Sequence, residues 1–184
     1  MWVHRWNAGL MSFRVRRNPA YRFLPGQFAR IGIRKQDGEV IWRAYSIVSA
    51  PHELFLEFFM VILPGGEFSS RVGAFNIGDT LLVEQMPQGF LTADRFRQPD
   101  RAQDLWLIGT GTGLAPYISM LRDETVWQRF EHIVLYCRCV NATIWAIPKN
   151  WNNWRSRTLA MGWRNFTSSK RSPAIPCTVP CTVG

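Results

Sequence analysis

The sequence predicts an antiparallel β-barrel followed by the beginning of an α/β domain. Short segments rich in Val, Ile, Phe and Tyr recur along the first half of the chain, and turn residues separate them. Farther on, two apolar strand-like segments enclose a glycine–threonine loop and a helix-like segment, which is the order of a βαβ unit. With 184 residues, 47% of them hydrophobic, the chain is long enough to bury a core.

The predicted barrel strands are short and regularly spaced. Turn signals such as Gln36-Asp37-Gly38 and Pro64-Gly65-Gly66 lie between them, and this punctuation is typical of an antiparallel barrel or sandwich. A further strand is expected after the Gly78-Asp79 turn. The other strands are expected over residues 3–7, 10–17, 27–34, 40–48 and 54–63.

The pattern changes after a boundary near Gln98-Pro99-Asp100. Residues 105–123 read LWLIGTGTGLAPYISMLRD, and residues 133–136 form a second buried strand, so that a parallel sheet is expected. We therefore predict a barrel domain over residues 1–99, the start of an α/β domain over residues 100–140, and a distinct tail over residues 141–184.

The end of the fourth barrel strand carries the most specific chemistry, in the sequence RAYS. Strand alternation points Arg43 and Tyr45 to one face, and Ala44 and Ser46 to the other. A guanidinium can hold phosphate oxygens, a phenol ring can lie against a flat heterocycle, and a hydroxyl can hydrogen-bond a ring atom. These groups fit a flavin nucleotide, while an edge strand with an exposed Arg and a half-buried Tyr is the alternative interpretation.

The glycine–threonine loop lies where a dinucleotide fold places its phosphate-binding turn. It consists of Gly109, Thr110, Gly111, Thr112 and Gly113. Glycines allow close approach of the backbone, and a helix start offers free N–H groups to an anion. The spacing is not GxGxxG, so the loop alone does not distinguish a nucleotide site from a tight turn without a ligand.

The remaining sequence signals concern the cellular location of the protein and the presence of a metal site. No apolar run approaches the roughly 18 residues of a membrane span, and the N-terminus lacks a secretory signal, so a cytoplasmic location is expected. The cysteines are spaced CxC and CxxxC, which match no metal or disulfide framework. We therefore predict no metal site.

The order of motifs resembles the bacterial ferredoxin–NADP reductase family, from about Val3 to about Tyr136. This resemblance implies that the barrel binds FAD, that the α/β part binds NADP, and that a hydride passes between nicotinamide and flavin. Electrons would then move singly to or from ferredoxin or flavodoxin, and a flavin-binding fragment without NADPH turnover is the alternative. The matching motifs are RAYS at 43–46, LEFF at 56–59, PGGEFSSR at 64–71, GD at 78–79, QGFL at 88–91 and GTGTGLAPYISMLRD at 109–123.

The resemblance also implies roles for individual residues. Arg43 would contact the FAD phosphates, Tyr45 would stack on the isoalloxazine with Ala44 beside it, and Ser46 would lie near the reactive nitrogen. Phe59 would lie near the adenosine half, and Thr112 would reach the flavin from the second domain. The pyrophosphate would be held by the backbone and the hydroxyl of the segment that contains Glu67, Phe68 and Ser69.

Two further expectations follow from this resemblance. An acidic side chain beside phosphates is unfavourable unless it turns to solvent, which is the arrangement required of Glu67. We expect a monomer without nucleic-acid or membrane partners, in which basic residues meet an acidic electron carrier. The basic residues considered for this role are Arg16, Arg17 and Arg22.

The tail departs from the family pattern. Of the net charge of +9, residues 1–140 carry +3 (16 basic, 13 acidic), and residues 141–184 carry six basic and no acidic residues. One permitted choice of codons for residues 141–154 gives, in a shifted frame, an acidic, leucine-spaced helix of the kind that the family shows there. Translation out of frame is therefore one hypothesis. A disordered extension and a basic, Trp-bearing arm for nucleic acid or a membrane surface are the others.

Overall fold

The computed structural model describes residues 2–96, 103–130, 132–138 and 159–162. Its first part consists of two antiparallel three-stranded sheets. One sheet has the order β1-β2-β5, with β1 at Trp2–Asn7, β2 at Leu10–Arg16 and β5 at Phe55–Val61. The other has the order β4-β3-β6, with β3 at Phe28–Arg34, β4 at Val40–Ser46 and β6 at Leu82–Val83.

The two sheets enclose one apolar core. The inward side chains of β2 and β5, such as Phe13 and Phe58, pack with Ile31 of β3 and are almost fully buried. A bridge between Ile47 and Phe58 joins the two sheets just beyond the end of β4. The predicted barrel-like architecture is confirmed, with strand ends that differ from the expected ones by one or two residues.

One expected strand is much shorter than predicted, and one helix was not predicted. After the Gly78-Asp79 turn the strand consists of Leu82–Val83, which pair with β3, and Gln88 adds an isolated bridge to Phe28. Residues 67–73 form helix α1, Glu67–Gly73, directly after Gly65 and Gly66. Gly65 has a φ of +72°, a left-handed conformation that suits glycine. The segment reads as a turn because the helix is short and follows two glycines.

The second part is the predicted βαβ unit. Strand β7 (Asp104–Thr110) leads into a 3-10 turn (Gly111–Leu114), helix α2 (Ala115–Leu121), helix α3 (Glu124–Arg129) and strand β8 (His132–Arg138). Strands β7 and β8 are parallel, as predicted. The helices bury Met120, Leu121 and Val126 against Leu107 and Ile133 of the sheet.

Asp123 explains why two helices stand where one was expected. Its carboxylate accepts a hydrogen bond from the Thr125 N–H at 2.8 Å and so caps the start of α3. Strand β9 (Leu159–Gly162), within the predicted tail, pairs in parallel with β8. The rest of the tail lies outside the described residues, as do Gln98, Pro99 and Asp100, and the domain limits remain a prediction.

Helix α2 packs against the barrel through a third apolar cluster. Ala115 and Ile118 of this helix contact Val48 and Phe59 of the barrel. The glycine–threonine turn is therefore held at the end of the barrel where β4 stops. None of the described helices is long and apolar enough to cross a membrane.

Candidate functional site

The RAYS segment ends strand β4 at the rim of the barrel. Arg43 is exposed, and its Nη1 donates a hydrogen bond to the carbonyl of Trp42 at 2.8 Å. Tyr45 is half-buried, and its ring stacks on that of Phe68, with 5.8 Å between centroids and 26° between planes. Ser46 is half-buried opposite Phe28 of β3. The segment thus presents a cation and an aromatic ring at one rim.

Burial strengthens the preference of the Tyr45 phenol for its neutral form. Burial raises the pKa of Tyr45 above its ordinary value, and the charge of Arg43 opposes part of that increase. At neutral pH the ring is therefore an uncharged surface with a polar tip, which suits stacking against a flat heterocycle.

The start of α1 lies beside Tyr45 because Phe68 belongs to the first turn of this helix. Gly66 caps the helix without a side-chain hydrogen bond. The N–H groups at the start of a helix have no acceptor within it, so the amides of Glu67, Phe68 and Ser69 are donors for an anion. The side chain of Glu67 is 54% exposed and lies 4.0 Å from the guanidinium of Arg71. It therefore turns to solvent, as the expected role of this segment requires.

The hydroxyl of Ser69 has a structural role. The side chain is buried, its Oγ accepts from the N–H of Leu63 at 3.0 Å, and it lies 3.4 Å from the carbonyl of Leu63. This hydroxyl closes the turn before α1. The backbone of Ser69, rather than its hydroxyl, is the group available to a phosphate.

The glycines of the glycine–threonine loop have different structural roles. A Cβ on Gly109 would meet the ring of Tyr117 at 2.8 Å, so this glycine permits packing of α2 on the strand end. Gly111 has a φ of +54°, the left-handed region that favours glycine. A Cβ on Gly113 would meet nothing within 4 Å. Only the surroundings of Gly111 and Gly113 leave room for a ligand, and the half-buried Thr112 lies between them.

Phe59 is placed between the barrel and α2. Only 8% of it is exposed, because its ring packs with Leu10, Val48 and Ala115. Little of the ring is therefore left for an adenosine to contact. Phe59 serves mainly as the apolar surface on which the glycine–threonine segment rests.

A group of polar residues next to the site was missed from the sequence. Ser119 Oγ donates to the carbonyl of Ser49 at 2.7 Å, and Arg122 Nη1 donates to Glu57 Oε2 at 3.0 Å. Both contacts tie α2 and the residue after it to the barrel just past β4. Glu57 could have indicated this group from the sequence. It is an acidic residue within the apolar strand LEFF, and a buried carboxylate requires a partner.

A cavity of about 570 Å³ lies elsewhere on the barrel. It contains none of the predicted site residues, although Arg71 of α1 borders it. Among the described residues no group of His, Cys, Asp and Glu could hold a metal ion. The cavity is lined by Ile33, Arg34, Arg71, Ala74, Phe75, Asp79, Thr80 and Leu82.

Comparison with known proteins identifies relatives of this chain. Residues 5–91 match the model of the oxidoreductase FAD-binding domain. The chain is also 41% identical over 133 residues to a ferredoxin–NADP reductase of Pseudomonas aeruginosa, an alignment that covers 72% of this chain and 50% of the relative. The matched part of this chain is therefore homologous to ferredoxin–NADP reductases. A flavodoxin/ferredoxin–NADP reductase of Rhodobacter capsulatus is 34% identical over 137 residues, covering 74% of this chain and 50% of that protein.

A solved structure supports the same relationship. A ferredoxin NADP⁺ reductase from Neisseria gonorrhoeae, with bound FAD and NADP, superimposes with a TM-score of 0.70 at 39% identity. The alignment covers 74% of this chain and 54% of that one. This chain thus spans about half the length of the relatives it matches.

Proposed function

We propose that this chain binds FAD at the rim formed by the RAYS segment and the start of α1, as part of an NADPH-dependent reductase of ferredoxin or flavodoxin. The observation that carries this proposal is the stacking of Tyr45 on Phe68. It brings two segments more than twenty residues apart in the sequence to one rim, each with groups that suit a different part of a flavin dinucleotide.

The residues present fit the two halves of this cofactor. Tyr45 offers a neutral, half-buried ring for the isoalloxazine. Arg43 is exposed, and within the described part of the chain its guanidinium bonds to one neighbouring carbonyl, so its remaining donors are available to phosphates. The uncapped amides of Glu67, Phe68 and Ser69 provide further donors for the pyrophosphate. FAD, when bound, supplies hydride acceptance and release as single electrons.

The chain's own groups position and shield rather than act as acids or bases. We assign Ser46 to a hydrogen bond with the edge of the flavin ring, and Tyr45 to holding the ring plane. We assign Thr112 to the flavin, which it would reach from the second part. We assign the open backbone near Gly111 and Gly113 to the nicotinamide-nucleotide side of the site, since a Cβ at either glycine would meet no atom of the described residues within 4 Å.

The proposed electron carrier would meet the exposed basic residues Arg16 and Arg22. The expectation for Arg17 is wrong. This residue is only 9% exposed, and its Nη1 donates to the carbonyl of Pro51 at 2.6 Å. Arg17 therefore fixes the loop after β4 and is not available to an acidic partner.

The experiment is reconstitution of the full chain with FAD followed by anaerobic addition of NADPH. We expect a yellow protein whose visible flavin absorbance falls when NADPH is added. Retained FAD without bleaching would support the alternative, a flavin-binding fragment. A folded chain that binds no FAD would overturn both.

A further inference from the structure

We propose that Arg122 and Ser119 are positioning residues, which fix the glycine–threonine turn at a set distance from the RAYS segment. They do so by holding α2 on residues 48–50, the Val-Ser-Ala that follow directly after RAYS and Ile47. This role rests on the proposed function, because it concerns the alignment of the two halves of that site.

The contact is built around one buried carboxylate. Glu57 of β5 has only 7% of its side chain exposed, and its Oε2 accepts from Arg122 Nη1 at 3.0 Å. The same oxygen accepts from Arg14 Nε of β2 at 3.1 Å. Two guanidiniums, one from the barrel and one from the residue after α2, therefore share one carboxylate. We call Arg14, Glu57, Arg122, Ser49 and Ser119 the docking cluster.

The docking cluster is continuous with the strand that carries the flavin residues. The carbonyl of Ser49 accepts from Ser119 Oγ at 2.7 Å, and Ser49 Oγ accepts from the N–H of Glu57 at 3.1 Å. Arg122 Nη1 also lies 3.4 Å from the carbonyl of Val48. Ser49 and Ser119 are both fully buried. A shift of α2 would therefore break bonds that end three residues from Ser46.

Apolar packing alone would not fix this alignment. The ring of Phe59 and the side chains of Val48 and Ile118 provide attraction between α2 and the barrel, but such contacts are non-directional. A shared carboxylate and a serine–carbonyl bond have fixed lengths and directions, and buried polar contacts can specify one arrangement among several. The docking cluster thus determines the position of α2 and of the turn that precedes it.

The same cluster explains the sequence that ends RAYSIVSAP. Strand β4 ends at Ser46, and the N–H of Val48 then bonds to Glu57 of β5, while the carbonyls of Val48 and Ser49 accept bonds from the second part. Ala50 is fully buried, and the carbonyl of Pro51 is held by Arg17. The segment is a fixed platform for α2.

The test uses hydrogen–deuterium exchange on the full chain with Arg122→Gln, Arg122→Lys and the control Arg30→Gln. Arg30 forms a comparable pair with Glu84 at 3.1 Å, but that pair lies within the barrel and is more exposed. We expect exchange of the α2 amides to rise roughly tenfold or more in Arg122→Gln, with β2 and β5 unchanged. Arg122→Lys should recover part of this protection, and Arg30→Gln should not raise exchange in α2.

Equal exchange in α2 for Arg122→Gln and Arg30→Gln would overturn the proposal. If Arg122→Gln does not fold, Ser119→Ala carries the same readout with a smaller disruption, and unchanged α2 exchange in that variant would also contradict it. This measurement needs no cofactor, so its outcome is separate from that of the reconstitution with FAD.

A second readout distinguishes positioning from general stability. In the FAD-loaded chain, Arg122→Gln should slow flavin reduction by NADPH roughly tenfold while leaving the FAD dissociation constant unchanged within error. A parallel loss of FAD affinity would show a merely structural role and contradict the assignment. Absence of NADPH-dependent reduction in the unaltered chain would count against the proposed turnover, and α2 exchange would then decide the positioning role.

Discussion

The ring of Tyr45 at the end of β4 stacks on the ring of Phe68 in the first turn of α1, with their centroids 5.8 Å apart. This contact joins the strand end that carries a guanidinium to a helix start that carries unpaired amides. Both are groups that bind phosphates, and the stacked ring between them is half-buried. The flavin site that we propose therefore rests on this one rim of the barrel.

Replacing Tyr45 tests the stacking contribution. Tyr45→Ala should weaken FAD binding about tenfold or more, because an aromatic contact contributes roughly 1 kcal/mol beyond its buried area. Tyr45→Phe keeps the ring and should bind nearly as well as the unaltered chain. Fluorescence titration with FAD measures both, and equal loss in the two variants would assign the effect to the hydroxyl instead.

Replacing Arg43 tests phosphate binding. Arg43→Gln should raise the FAD dissociation constant by roughly ten- to a hundredfold, since a charge-assisted hydrogen bond contributes about 1.5–3 kcal/mol. Arg34→Gln is a matched control, because Arg34 is likewise exposed and donates to a nearby backbone carbonyl, that of Gly38 at 3.1 Å. Similar losses in both variants would indicate a non-specific effect of charge.

The glycines of the glycine–threonine turn give a matched pair for stability. Gly109→Ala places a Cβ 2.8 Å from the ring of Tyr117 and threatens the bond from the Tyr117 hydroxyl to the carbonyl of Ile108. We expect a loss of about 1–3 kcal/mol in the free energy of unfolding, as in other overpacked sites. Gly113→Ala meets nothing within 4 Å and should change stability little. Urea denaturation compares them, and equal effects would refute the packing argument.

The burial of Tyr21 predicts that the folded protein loses stability at high pH. The Tyr21 hydroxyl is buried and has no hydrogen-bond partner among the described residues, and burial, with a smaller contribution from Glu84, raises its pKa from 10.0 to about 12. Between these values the unfolded chain releases the Tyr21 proton while the folded chain keeps it, so the free energy of unfolding falls as pH rises. Tyr21→Phe should show a shallower decline in denaturation measured across this range. An identical decline in both proteins would contradict the assignment.

Local patterns predicted the strands and the βαβ unit well. Loose alternation along residues 10–17 and the apolar composition of residues 54–63 predicted strands, and the structure confirms that Phe13 and Phe58 lie in one core. Helix α1 was missed because seven residues after two glycines carry little periodicity. The RAYS segment was identifiable because its groups are adjacent in sequence.

Long-range contacts could not be predicted from these patterns. Ser49 and Ser119 are seventy residues apart, and nothing in their neighbourhoods shows that they form a hydrogen bond. Phe59 lies on the strand face opposite Phe58, but the sequence does not reveal that α2 covers that face. Arg17 resembles its exposed neighbour Arg16 in sequence, and only the fold buries it.

The most direct test of the central claim is a titration of FAD fluorescence with the full chain and with the double variant Arg43→Gln/Tyr45→Ala. The account predicts quenching that saturates at about one FAD per chain. It also predicts that affinity falls roughly a hundredfold or more in the double variant, whose circular dichroism should be unchanged. A double variant that binds FAD as tightly as the unaltered chain would contradict the account.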